Sequence, residues 1–437
     1  MLEKKEKFNP PIVLAAEVYE HLERSGKDLG RTSLDILEKF FEILYYTSMR
    51  TEEAQLIQVT VSFFDPESTW AGNKPNAPLD SWSYTPFTEP KPFDVRTMVK
   101  IAKAADPWSS SVAVYFDDNL ELKIYGLIDQ TLHSQMFFNH ETQTKYSSAG
   151  FFQAAVQGIG HIAVTDGATI VQVLRQKNLE DTFHDVFKKG QVNDLIKDKA
   201  EYFLERTKQF LNNRFYVLRI ESFHSMIYGI WKETLSRILI QIRKYGHGGA
   251  LLITAETKGL DINYPIIYNR LRDAIERSIY VNIELQVMQK VLEDEDGKIT
   301  VNGLKGIREK ENQKRQIDNE LKGAIRFLAS QSCVDGIVVL KDDLSSFGFG
   351  GVIQKVDPPQ MVYLAKTATF NRSEQVDPKN LGTRHRSMMT FCHNNPGSLG
   401  IVISQDGDLR VMTKVEDKLV MWENIKMQKY FKAKILT

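Results

Sequence analysis

Apolar positions near the start of the chain recur every three or four residues in two stretches, Pro11 to Glu23 and Ser33 to Ser48, the second carrying Leu34, Ile36, Leu37, Phe40, Phe41 and Leu44. That spacing predicts two amphipathic helices against a core. Asp65 to Pro92 has prolines and tryptophans without periodicity, which predicts a long irregular connection or an extended edge, and Phe93 to Ala105 returns to helical spacing. Ser111–Phe116 and Leu122–Leu127 flank Asp117-Asp118-Asn119, and His161–Val164 and Thr169–Gln172 flank Asp166-Gly167, so each pair predicts a hairpin. Helical spacing resumes over Leu195–Asn212, over Phe223–Tyr245 with Ile227, Ile230, Trp231, Leu235, Ile238, Leu239 and Ile242 on one face, and over Tyr268–Leu292. Arg308 to Lys322 is a charged run with sparse leucine and isoleucine, which predicts a solvated helix or a contact surface for a partner subunit. The pattern is that of an α/β (α+β) protein.

At 437 residues the chain exceeds what one core usually holds, so two domains are expected. An apolar share of 42% and a charged share of 26% suit ordinary globular cores and surfaces. No apolar run approaches a membrane span, and Met1 to Lys7 mixes both charge signs where a secretion signal would be apolar. Cys333 and Cys392 stand in no metal-ligand spacing, which leaves a reducing cytoplasm as the expected location. Lysine plus arginine equals aspartate plus glutamate at 56 each, so nucleic acid is not an expected partner. A small anionic ligand needs only a local positive cluster.

Such a cluster is Gly382-Thr383-Arg384-His385-Arg386-Ser387. Two guanidiniums, an imidazole and a hydroxyl can each hydrogen-bond phosphate oxygens, and a helix begun by the following Met388, Met389 and Phe391 would add N–H groups and a positive dipole end. An exposed basic turn is the alternative reading. Upstream, Asp335-Gly336 interrupts the apolar pattern from Cys333 to Leu340, which places a carboxylate inside a strand, where burial is costly unless it is paired or metal-bound. Phe347 to Ile353 contains Gly348, Gly350 and Gly351, which would let a flat base approach the backbone beside Phe349 and Val352, although a bulged strand or hairpin explains them equally well.

Asp335-Gly336-Ile337 and Gly382-Thr383-Arg384-His385-Arg386, together with Gly248-Gly249-Ala250-Leu251-Leu252-Ile253, the following Thr257-Lys258-Gly259-Leu260-Asp261, and Gly400-Ile401-Val402-Ile403-Ser404-Gln405-Asp406, resemble the motifs of the diadenylate cyclase family in their order. The resemblance covers roughly residues 215 to 437, with an insertion at about 284–325. It implies a mixed-sheet nucleotide-binding domain flanked by helices over 213–437, preceded by an α+β sensor or regulatory domain over 1–212 whose ligand is unknown. It further implies condensation of two ATP molecules into cyclic di-AMP and pyrophosphate, with Mn2+ or Mg2+ held by Asp335 and with Asp406 the nearest acid to share it. Arg384, Arg386 and Thr383 would hold the triphosphate, Ser404 would contact phosphate, and Gly336, Gly350, Gly351 and Val352 would line the base pocket. His385 would bind a phosphate oxygen or orient the arginines. Asp406-Gly407 also reads as a plain hairpin turn. Since one site holds one ATP, the resemblance implies a homodimer or higher homo-oligomer.

Asp166-Gly167-Ala168 repeats the family tripeptide verbatim, but tight-turn chemistry accounts for it. The chain departs from the family at Ile337, where alanine is usual, at Asn380-Leu381 before the glycine, and at Gln405-Asp406 after the serine. A nucleotide-binding sensor without turnover, or a synthase of another cyclic or linear product, are the alternative expectations.

Overall fold

The computed structural model describes residues 10–26, 30–64, 82–106, 109–129, 149–167, 169–175, 178–179, 185–215, 218–294, 301–354, 357–405, 408–423 and 425. The chain divides into two compact units, residues 1–182 and residues 183–427. Both are mixed α/β, as the pattern predicts.

In the first unit, α1 (Pro10–Arg24) and α2 (Leu34–Ser48) occupy the two amphipathic stretches. A small ribbon, β1 (Thr51–Glu52) with β2 (Gln55–Leu56), leads into β3 (Val59–Phe63). There follow β4 (Ser83–Pro92), α3 (Val95–Ile101), β5 (Ser110–Phe116), β6 (Leu122–Asp129), β7 (Phe152–Gly158), β8 (His161–Asp166), β9 (Thr169–Arg175) and β10 (Asn178–Leu179). Among the described residues these strands form one sheet in the order β10-β9-β8-β7-β3-β5-β6-β4. β3 and β5 pair parallel, and the other neighbours pair antiparallel. The stripe on α2 meets the sheet through Phe40, whose ring lies 5.3 Å from Phe63 and 5.6 Å from Phe152, edge-on to both, as aromatic quadrupoles favour. Both expected hairpins form, β5–β6 and β8–β9. Of the expected irregular stretch, 83–92 is an edge strand, and 65–81 lies outside the described residues.

The second unit begins upstream of the expected boundary at 213, because α4 (Gln191–Lys199) and α5 (Glu201–Arg214) pack into its core. Val192, Ile196, Phe203 and Leu204 from these helices are buried with Trp231 and Leu235 of α6 (His224–Lys244) and with Leu251 and Ile253 of β11 (Gly249–Ile253). The remaining elements are β12 (Leu260–Tyr268), α7 (Arg270–Asp294), α8 (Val301–Ser330), β13 (Ile337–Leu340), β14 (Ser346–Ile353), β15 (Val362–Ala365), β16 (Ser373–Val376), α9 (Thr383–Asn394), β17 (Leu399–Ile403), β18 (Leu409–Val415) and β19 (Lys418–Trp422). The sheet order among the described residues is β12-β14-β13-β11-β17-β18-β19-β15-β16.

Two apolar layers sandwich this sheet. One joins Leu251, Ile253, Val338 and Leu340 to α4–α8. The other joins Ala250, Leu252, Ile337, Val339 and Val402 to Met388, Met389, Phe391 and Cys392 of α9. Burial of such large side chains contributes about 1.5–3 kcal/mol each. The charged run within α8 is therefore not wholly solvated: Ile317 and Leu321 reach the core, and Asp318 beside them is half-buried. The expected insertion consists of the end of α7 and most of α8, which pack against each other. β17 lies centrally between β11 and β18. Among the described residues, no helix is long and apolar enough to cross a membrane.

Candidate nucleotide site

The site is built at the edge of the second sheet where β11 and β13 begin and β17 ends. β11 and β13 pair parallel with Leu251 opposite Val338, and β11 and β17 pair antiparallel with Gly249 opposite Ile403. Running the first register back two residues sets Gly336 level with Gly249. The chain just ahead confirms the proximity, since a Cβ on Gly249 would lie 3.1 Å from the Ser332 side chain.

Asp335 is corrected from the expected position inside a strand. β13 starts only at Ile337, and Asp335 occupies the bend before it, exposed and without a hydrogen bond or ion pair among the described residues. The cause is Gly336, whose φ of +116° no L side chain adopts comfortably, so that the chain turns there before it pairs. A Cβ on Gly336 would lie 2.6 Å from the Gly350 carbonyl carbon and 3.0 Å from the Gly351 nitrogen. The three glycines predicted to line one pocket thus meet, backbone against backbone. Ile337, where the family has alanine, turns its side chain into the core and is 5% exposed. Its bulk is kept out of the site. Val352 is exposed on β14 opposite Asp261 of β12.

The basic motif forms the first turn of α9 itself, so the helix starts at Thr383, ahead of the expected Met388. Its N-cap, Gly382, offers no side-chain acceptor, and the N–H groups of Thr383, Arg384 and His385 find no acceptor among the described residues. Gly400 on β17 seats the helix, because a Cβ there would come 2.5 Å from Met388 and 2.7 Å from Cys392 Sγ. Burial pushes that thiol up to about 12, which makes it packing material.

Arg384 reaches back over the sheet edge. A Cβ on Gly248, which has φ +68°, would lie 3.1 Å from Arg384 Nη1 and 3.2 Å from the Gln405 backbone nitrogen. The first guanidinium therefore sits over the start of β11, beside the end of β17 and one strand from the head of β13 with Asp335. Arg386 is exposed, its Nη2 3.5 Å from Thr383 Oγ1. Ser404 is placed at the same edge, but its hydroxyl closes the β17–β18 turn: it donates to the Asp408 carbonyl at 3.1 Å and accepts from the Asp408 N–H at 3.0 Å. Asp406, the other expected metal ligand, lies outside the described residues.

His385 Nε2 lies 3.0 Å from Arg410 Nη1, and Arg410 Nε donates to Glu423 Oε1. Burial, Arg410 and Arg384 lower the imidazole to about 4 against the opposing pull of Glu423, so it is neutral near pH 7. Arg410 and Glu423 were missed in the sequence. Their signal was present, since opposite charges facing each other across the β18–β19 pair are a recognisable cross-strand arrangement.

A divalent metal fits these residues in one respect: Asp335 is an exposed, unengaged carboxylate at the site edge, and Mg2+ typically binds one or two carboxylates plus substrate phosphates. Among the described residues, no group of three or more His, Cys, Asp or Glu side chains is placed to hold a metal. At the opposite end of β11, a cleft of about 520 Å³ is lined by Thr254, Glu256, Lys199, Asp342 and the turn after α9, Asn394–Ser398.

No curated protein matches the chain. Residues 31–129, from just before α2 through β6, match a family described as "Probable sensor domain DACNV", a sensor type that occurs N-terminal to diadenylate cyclase domains.

Proposed function

We propose that the second unit is a diadenylate cyclase that condenses two ATP molecules into cyclic di-AMP, under control of the sensor-type first unit. The observation that carries this reading is the shared sheet edge: Gly248 holds Arg384 beside β11, while the adjacent head of β13 presents Asp335. A sensor domain in the first unit, of a type found ahead of such cyclases, supports the same reading.

Each residue then has a physical task. The first-turn N–H groups of α9, with Thr383, Arg384 and Arg386, bind the triphosphate and stabilise the charge that accumulates on departing pyrophosphate. The base would lie along the β14 backbone at Gly350 and Gly351, beside the Tyr264 ring that packs against Gly350. Asp335, one strand away from Arg384, would align the ribose 3′-hydroxyl with the α-phosphorus. Mn2+ or Mg2+ bound there would supply charge neutralisation and acidify that hydroxyl. In each half-reaction a 3′-O–P bond forms, the α-phosphorus–pyrophosphate bond breaks and the hydroxyl proton leaves; two half-reactions close the ring. Because one site holds one nucleotide, the product requires two copies of the unit facing each other, and proximity between them supplies much of the rate.

The test is incubation of the full chain with ATP or GTP and either metal, with products identified by mass spectrometry. Cyclic di-AMP supports the proposal. A linear dinucleotide, a guanine product, or bound but unaltered ATP overturns it.

A further inference from the structure

Resting on the nucleotide reading above, we infer that Arg410 is a positioning residue that locks His385 as a fixed Nδ1–H donor at the anion-binding first turn of α9. A guanidinium has only donors to offer, so its contact with His385 requires Nε2 to be the unprotonated acceptor. The ring proton is thereby assigned to Nδ1, as tautomers generally are by the partner of the other nitrogen. Nδ1 lies on the helix-start side, 4.0 Å from where a Cβ on Gly382 would stand, beside the N–H groups of the first turn.

Arg410 is itself held. It sits on β18, its Nε donates to Glu423 just beyond β19, and both side chains are roughly three-quarters covered at 25% and 31% exposure. The charged groups facing His385 are thus Arg410 and Glu423 from the sheet and Arg384 from its own helix. Burial first, and then two cations against one carboxylate, keep the ring neutral, so His385 adds a directed hydrogen bond to the phosphate grip without adding another charge. The sequence Glu423, Arg410, His385, phosphate forms one chain of donors and acceptors from the sheet to the ligand.

The experiment uses the 15N-labelled full chain, with His385 assigned among the nine histidines by H385Q, and inorganic tripolyphosphate as the probe. Long-range 1H–15N spectra should show the His385 proton on Nδ1 at pH 7 and a ring still neutral at pH 5. R410Q should give mixed tautomers and weaken tripolyphosphate about three- to tenfold, the range expected for one directed hydrogen bond. R410K, which retains a donor, should keep the proton on Nδ1 and most of the affinity. Circular dichroism of each variant identifies any that fail to fold. A wild-type proton on Nε2, or R410Q with tautomer and affinity unchanged, overturns the inference. Failure of the cyclase reading is distinguishable: correct tautomer and tripolyphosphate results without cyclic product would sink only that reading.

Discussion

The chain contains the dipeptide Asp-Gly four times, and two of its settings differ in almost every physical respect. Asp166-Gly167 closes the β8–β9 hairpin; the aspartate bonds to His21 Nε2 at 3.2 Å, and a Cβ on Gly167 would meet nothing within 4 Å. Asp335-Gly336 precedes β13; the aspartate makes no bond or ion pair among the described residues, and the glycine is pressed against Gly350. A turn needs its glycine only for φ, whereas the second glycine also gives up its side-chain volume to a neighbouring backbone. The first aspartate is engaged within the fold, and the second is left exposed.

Alanine at the two glycines sharpens the contrast most. Gly336→Ala should cost the second unit about 3–5 kcal/mol, because strain at φ +116° adds to a contact at 2.6 Å. Gly167→Ala, at φ +56° with open space, should cost about 1 kcal/mol. Urea denaturation measures both, and equal costs would erase the distinction. Next come the carboxylates. Asp335→Asn should lower product formation by about a hundredfold or more while changing stability by no more than about 0.5 kcal/mol. Asp166→Asn should leave turnover intact and cost under about 1 kcal/mol, as expected for a partly exposed pair. Arg384→Ala should weaken ATP about tenfold or more, the worth of one charge-assisted hydrogen bond, read by calorimetry.

A separate effect is a pH dependence. His385 titrates at about 4 in the folded chain and near its ordinary 6.5 when unfolded. Between those values the unfolded state binds a proton that the folded state does not, so stability falls as pH drops from 6.5 towards 4. Chemical denaturation of wild type and H385Q across that window isolates the contribution, which should vanish in the variant.

Much of this was legible in the residues. The α2 stripe and the two hairpin turns carry their own period and turn chemistry, and local rules suffice for them. The split of Leu195–Asn212 into α4 and α5 was not legible, because Ala200 between them is neither glycine nor proline and gives no stop signal. The unit boundary was misplaced for a related reason: an apolar helix face shows that a helix is covered, not which sheet covers it. Asp335 was set inside a strand because apolar residues flank it, and only the backbone angle at Gly336 moves it to the bend. Arg384 was expected to be an anion ligand, but its place over Gly248 depends on pairing between distant strands. Ser404 was expected to contact phosphate, while its engagement with Asp408 depends on the turn that follows.

The most direct test is a crystal structure of the full chain with Mn2+ and 3′-deoxy-ATP, which lacks the attacking hydroxyl and so cannot react. The account predicts the triphosphate on the first turn of α9 in contact with Arg384, the base against Gly350 and Gly351, and the metal on Asp335. Nucleotide bound instead in the cleft at the far end of β11, or at the motif with Asp335 turned away from it, would contradict the account.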